Sequence, residues 1–173
     1  MTVALAVASG SAGAAQEVRP EYQLKAAFVA RFPEFTEWPE TALDSRAALD
    51  ICVARPSPFG GALTGILGGE LLRGRRLQVR EVTDTGEAAS CLVLFIPAAA
   101  SADRKSLLLA AAKAPVLTIG ETPTFLDEGG IVNLRLIGGR VRFDINVGAA
   151  ARVGLRFSSQ LLRLALDVRG GPP

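Results

Sequence analysis

CLVLFIPAAASADRKSLLLAAAKAPVLTIG, residues 91 to 120, is the stretch whose reading decides the fold. Cys91 to Ile96 is a continuous apolar run, the pattern of a central strand covered on both faces of its sheet. Ala102 to Lys113 is rich in Ala and Leu and reads as a helix. Asp103 in its first turn and Lys113 in its last are charges that suit the helix dipole. Pro115 to Gly120 (PVLTIG) then closes as a short buried strand.

Outward toward the N-terminus, Ala48 to Ala54 (ALDICVA) is another buried strand, bounded by Arg55-Pro56 and Pro58. Phe59 to Leu67 carries apolar residues at helical spacing until Gly68-Gly69 stops it. Arg76 to Val82 (RLQVREV) alternates only approximately, through Leu77, Val79 and Val82, and its polar residues place it toward a sheet edge. Further out, Glu21 to Phe32 (EYQLKAAFVARF) sets Leu24, Ala27, Phe28 and Phe32 on one helical face, with Pro20 at its start and Pro33 at its end.

Toward the C-terminus, Gly130 to Ile137 and Arg140 to Val147 flank Gly138-Gly139, a two-residue turn suited to positive φ, and predict a β-hairpin. In its second strand Val141, Phe143, Ile145 and Val147 face one way and Arg142, Asp144 and Asn146 the other. Asn146 is placed to cap a helix over Gly148 to Val153, and Ser158 or Ser159 to cap a last helix over Gln160 to Val168. The whole is an α/β class chain. It reads as a single-domain doubly wound, mostly parallel sheet with a C-terminal antiparallel hairpin and helices on both faces.

At 173 residues the chain suffices for one such domain, expected over 20–169 with a disordered tail at 170–173. Lys plus Arg number 19 against 17 Asp plus Glu, and no polybasic run appears, which argues against a nucleic-acid partner. Histidine is absent, so a Ser-His or Cys-His hydrolase triad is impossible within this chain, and the commonest metal ligand is missing. Met1 to Gln16 (MTVALAVASGSAGAAQ) is an apolar run ending in small residues, read as a truncated signal peptide over 1–15 that lacks its basic n-region, the alternative being a disordered apolar tail. No segment approaches the roughly 18 uninterrupted apolar residues of a membrane helix.

Few residues suggest chemistry. Cys52 and Cys91 each sit at an inner strand, and right-handed crossovers make those strands neighbours in an order such as 2-1-3. A disulfide and two buried thiols are both open to such a pair, and the signal-like N-terminus favours the disulfide. Two cysteines without histidine argue against zinc. Gly120-Glu121-Thr122, Gly68-Gly69 and Gly129-Gly130 lack phosphate-loop spacing and read as turn glycines. Asp127-Glu128 and the pair Glu34 and Glu37 read as solvated loop charges. Arg135, Arg142 and Asp144 share the polar face of the hairpin, as an ion-pair patch or a docking surface. Phe32, Phe35 and Trp38 recur every third residue before Pro39 and serve core or interface packing first.

Taken in order, these pieces resemble the YfiR family. The resemblance runs through Glu21 to Phe28, with Tyr22 and Lys25, then Phe32, Phe35 and Trp38-Pro39. It continues through Ile51-Cys52-Val53, Pro58-Phe59-Gly60, Leu92 to Ile96, Pro115 to Gly120, Gly129 to Asn133, Arg140 to Asn146 and Gly154 to Leu162, nearly all of Glu21 to Val168. It implies a periplasmic α/β protein, often a homodimer, that represses a membrane-bound diguanylate cyclase by binding its periplasmic part and so lowers cyclic-di-GMP and biofilm output. No cofactor or metal is implied. Cys52 and Cys91 match one family cysteine pair linked to redox state, and a second pair found in some members is absent. Partner contact is expected through Arg135, Arg142, Asp144 and Arg156 with nearby apolar residues. The other reading is a periplasmic small-molecule binder serving a sensor or transporter, with its ligand in the crevice at the carboxyl ends of the strands.

Overall fold

The computed structural model describes residues 18–44 and 48–171, so the expected signal segment lies outside the described residues. Helix α1 (Pro20–Arg31) begins with Pro20, whose missing N–H is no loss in a first turn, and carries Glu21 at its start and Arg31 at its end. A 3-10 turn at Phe32–Phe35 leads to strand β1 (Thr36–Glu37) and helix α2 (Glu40–Asp44). Then come β2 (Ala48–Ala54), α3 (Ala62–Leu67), β3 (Leu71–Leu72) and β4 (Arg75–Val82). β5 (Val93–Ile96), α4 (Arg104–Ala111) and β6 (Leu117–Gly120) are the unit anticipated from residues 91 to 120, with α4 two residues shorter at each end. The hairpin is β7 (Val132–Ile137) and β8 (Arg140–Asn146), followed by α5 (Val147–Arg152), β9 (Arg156–Phe157), α6 (Ser159–Leu164) and β10 (Asp167–Arg169).

The main sheet runs in the order β10-β8-β7-β6-β5-β2-β4-β3. β4, β2, β5, β6 and β7 are parallel, β3 and β8 are antiparallel to their neighbours β4 and β7, and β10 joins β8 in parallel. The mixed α/β sheet with its antiparallel hairpin is therefore the anticipated class, and β2 lies between β4 and β5 in the 2-1-3 sense. β4 is nearly an edge, since the two-residue β3 covers only Arg75 and Arg76. β1 and β9 pair separately in a two-stranded antiparallel sheet.

The apolar runs are continuous because each central strand supplies two cores. Leu49, Ile51, Val53, Val93, Phe95, Leu117 and Ile119 point into a large core shared with α1, α3, α5 and α6. Cys52, Ala54, Leu94 and Ile96 point the other way, under Leu107, Leu108 and Ala111 of α4. The period-two alternation of a strand thus places every other residue in a different core. Gly138 and Gly139 take φ of 56° and 74°, as the hairpin turn requires. Gly120 and Gly130 serve another purpose: a Cβ at either would lie 2.2 Å from ring carbons of Phe125, so the ring sits between two backbones that must approach closely.

The C-terminus differs from expectation. Ser158 does cap a helix, accepting from the Leu161 amide at 3.2 Å, but the helix stops at Leu164 and 167–169 form a strand. The open edge of β8 provides a ladder for that segment, beginning with the Leu166 amide donating to the Phe143 carbonyl at 2.8 Å, and tertiary pairing overrides helical propensity there.

Candidate functional site

In α1, Tyr22 and Lys25 face the carboxyl ends of the parallel strands, and both meet Glu121, the residue that follows β6. The Lys25 ammonium donates to Glu121 Oε2 at 2.6 Å and also to Glu21 one turn earlier on the same helix. The Tyr22 hydroxyl donates to Glu121 Oε1 at 3.1 Å, and the Ala98 amide donates to the same oxygen at 2.8 Å. The side chains of Lys25 and Glu121 are 4% and 2% exposed, so this is a buried ion pair. It ties α1 to the loops after β5 and β6. Burial pulls the Lys25 ammonium down, but the hydrogen bonds to Glu121 and Glu21 outweigh it and leave its pKa above the ordinary lysine value. Burial first, and the Glu121 charge second, push the Tyr22 phenol up.

Tyr22 also closes one wall of a crevice. Strands β2 and β5 are neighbours whose following helices, α3 and α4, leave to opposite faces, which makes their carboxyl ends a topological switch point. A cavity of about 400 Å³ lies there, lined by Arg19 and Tyr22 from the start of α1, Ser57 and Pro58 after β2, and Pro97 and Ala99 after β5. The Arg19 guanidinium lies 5.1 Å from the Tyr22 ring centroid and Lys25 Nζ lies 5.0 Å from it. Beneath, Tyr22 meets Phe59 edge-on at 6.0 Å and Phe59 meets Phe95 at 4.7 Å.

The remaining aromatic residues singled out in the sequence are core. Phe32 meets Phe143 edge-on at 5.2 Å, Phe28 packs on both, and Phe35 and Pro39 are half-buried. The buried Trp38 indole donates to the Pro115 carbonyl at 3.0 Å and so ties the segment after β1 to the entry of β6. Cys52 and Cys91 form a disulfide, fully buried on the α4 face of the sheet. Arg80 of β4 lies beside it, with Nη2 at 3.7 Å and 3.9 Å from the two sulfurs and at 2.8 Å from Ser90 Oγ.

The hairpin charges are only partly brought together. Arg135 and Arg142 are exposed and face each other across β7 and β8. Asp144, expected on a solvated row, is 4% exposed because β10 covers the outer side of β8, and it meets Arg135 at 3.4 Å. Arg156 is exposed on β9, in the separate two-stranded sheet. Asp127 and Glu128 are engaged: Asp127 with Arg169, and Glu128 with Arg104 through contacts of 2.6 Å and 3.0 Å. Those hydrogen bonds from Arg104, with one from Thr124, hold the Glu128 carboxyl below its ordinary range. Sequence reasoning missed Glu121. A carboxylate directly after a short buried strand, apolar but for Thr118, at the sheet end where a crevice opens, is the signal that marks it.

Residues 22–166, from Tyr22 in α1 to Leu166 just past α6, match the YfiR/HmsC-like family model. The chain belongs to the YfiR/HmsC-like family. Of the residues that carry the sequence resemblance, Tyr22 and Lys25 meet Glu121, and Phe28, Phe32 and Trp38 pack in or against the core. Among solved structures, a conserved domain protein of Vibrio cholerae is similar over 86% of this chain, at 13% identity and a TM-score of 0.53. The ABC domain from Streptococcus pneumoniae in complex with L-Trp is similar over 81%, at 11% identity and a TM-score of 0.51. The YfiR/HmsC-like chain spans 60% of each of those chains, and at these identities the likeness is one of fold. No helix among the described residues is long and apolar enough to cross a membrane.

Proposed function

We propose that this YfiR/HmsC-like chain is exported through its 1–15 segment and folds as one domain over 20–169, ahead of a short tail at 170–173. In the periplasm, as a monomer or homodimer, it represses a membrane-bound diguanylate cyclase by direct contact with the cyclase's periplasmic part, lowering cyclic-di-GMP and biofilm output. The observation that supports the contact is the number of exposed aliphatic side chains on the C-terminal elements of the chain. Leu136 and Ile137 of β7, Leu164 at the end of α6, Leu166 in the link that follows, and Val168 of β10 are between 42% and 59% exposed. Arg135 and Arg142 stand beside the hairpin members of that set. Apolar side chains with arginine are what protein interfaces select, and exposed apolar clusters usually mark one. Arg156 belongs to the same proposed contact. To repress, the chain must bind the inactive cyclase more tightly than the active one, and a tenfold bias corresponds to about 1.4 kcal/mol.

Gene deletion is expected to raise cellular cyclic-di-GMP, and a periplasmic pull-down to recover a membrane protein with a cyclase domain. Leu136→Asp and Val168→Asp, checked for intact folding by circular dichroism, are expected to lose both. Unchanged cyclic-di-GMP on deletion with no such protein recovered refutes the reading. A second reading, a periplasmic small-molecule binder, is favoured by the switch-point crevice beside Tyr22, and a fold neighbour is described in complex with L-Trp. Ligand capture without any effect on cyclic-di-GMP would select it.

A further inference from the structure

The face of the hairpin turned away from the large core carries three arginines. In the β7–β8 register Arg135 lies directly across from Arg142, and Ile137 directly across from Arg140. Side chains two apart on a strand share a face, so Arg135, Arg140 and Arg142 stand on the same side of the two strands, and all three are exposed. Directly opposed residues of an antiparallel pair hold their Cβ atoms roughly 4.5–5.5 Å apart, and like charges there are destabilising. Arg140 adds a third cation on the diagonal from Arg135, at roughly 7–8 Å by the same geometry.

Little in the chain offsets this charge. Asp144 is the one carboxylate on that side of β7 and β8, and it meets Arg135 at 3.4 Å. Asp167, beside Asp144 on β10, is taken by Arg169 at 2.6 Å. Among the described residues no carboxylate lies within ion-pair distance of Arg140 or Arg142. A small anion is held in a concavity that strips its water, whereas these guanidiniums stand in a row on an open sheet surface. A lipid surface takes up charged and apolar side chains that lie on one side of an element. Leu136 and Ile137, the exposed aliphatic residues near the hairpin turn, point to opposite faces, so only Ile137 accompanies the arginines. A protein segment bearing carboxylates fits better: the planar guanidinium fork pairs with a carboxylate through two hydrogen bonds, and a single apolar contact completes the patch.

We propose that the row formed by Arg135, Arg140 and Arg142 docks an acidic segment of the cyclase's periplasmic part, with its carboxylates on Arg140 and Arg142 and an apolar side chain on Ile137. This docking presupposes the repression proposed above and names the chemistry of the partner's side.

Two double variants and a cross-link test it. Arg140→Glu with Arg142→Glu sets an opposite charge across from Arg135, so it is expected to melt no lower than wild type by circular dichroism. In a periplasmic pull-down it is expected to recover the cyclase about tenfold less well, and in cells to raise cyclic-di-GMP toward the level of the gene deletion. Arg140→Lys with Arg142→Lys keeps the charge and is expected to keep most of the recovery. Treated with a carbodiimide, which joins an amine to a carboxyl group, its complex should give peptides in which position 140 or 142 is linked to an Asp or Glu of the cyclase. That cross-link keeps the test decisive if the charge-reversed variant does not fold. A folded charge-reversed variant that recovers the cyclase as well as wild type, or a complex without such cross-links, overturns the acidic contact, and the repression reading stands as long as gene deletion raises cyclic-di-GMP. Phosphatidylglycerol vesicles that bind wild type and not the charge-reversed variant, with cyclase recovery unchanged, also overturn it and assign the row to lipid. Deletion without effect on cyclic-di-GMP, and no cyclase recovered, removes the repression reading and this docking with it.

Discussion

Replacing Lys25 by Met keeps nearly the same volume and removes the charge that compensates Glu121. The structure sets the size of the effect. Glu121 is 2% exposed, so the stranded carboxylate has no access to water, and breaking one side of a buried pair typically costs about 3–5 kcal/mol. Glu121 keeps two neutral donors, the Tyr22 hydroxyl and the Ala98 amide, which puts the expected loss at the low end, about 3 kcal/mol. The second contact, to the more exposed Glu21, adds only about 0.3–0.5 kcal/mol. For a chain of this length about 3 kcal/mol corresponds to a fall in Tm of roughly 6–12 °C. Urea melts followed by far-UV circular dichroism at neutral pH, with the disulfide oxidised, measure it. The double variant Lys25→Met with Glu121→Gln removes the stranded charge and should regain more than half of the loss. A loss below about 1 kcal/mol in Lys25→Met, or a double variant no more stable than the single, would show that α1 is not held by this pair.

Three further outcomes follow from the same geometry. The folded pKa values of Lys25 and Tyr22 are both raised, so their contribution is full below their ordinary ranges and is lost as pH rises through the folded values. The stability gap between wild type and Glu121→Gln should therefore shrink in denaturation series carried above the usual lysine range. Cys52→Ala with Cys91→Ala opens a bridge between residues 39 apart and should cost roughly 4 kcal/mol in the chain-entropy model, with no alkylation of the wild-type cysteines seen by mass spectrometry before reduction. Gly130→Ala drives a Cβ into the Phe125 ring and the Phe125 carbonyl and should cost about 2–3 kcal/mol, of which Phe125→Leu in the same chain should return about 1 kcal/mol in a double-mutant cycle.

The strands of the central sheet were legible from residues alone, because a buried parallel strand must be apolar on both faces and Cys91 to Ile96, Ala48 to Ala54 and Pro115 to Gly120 have no other economical reading. The hairpin was legible for a similar reason: Gly138-Gly139 is a local conformational requirement written into two adjacent residues. The place of β2 between β4 and β5, and with it the approach of Cys52 to Cys91, followed from the handedness of crossovers. Only the tertiary structure decided the rest. The last strand exists because β8 offers it an open edge, which nothing in residues 160–168 announces. That same strand buries Asp144, turning an expected surface charge into a buried partner of Arg135. Glu121 lies 96 residues from Lys25 in the chain, and its partner, its burial and its role arise from where α1 crosses the ends of the strands. Local propensity and periodicity act over a few residues. An ion pair, a covered edge or a cavity depends on distances between segments, which the chain sets only once it has folded.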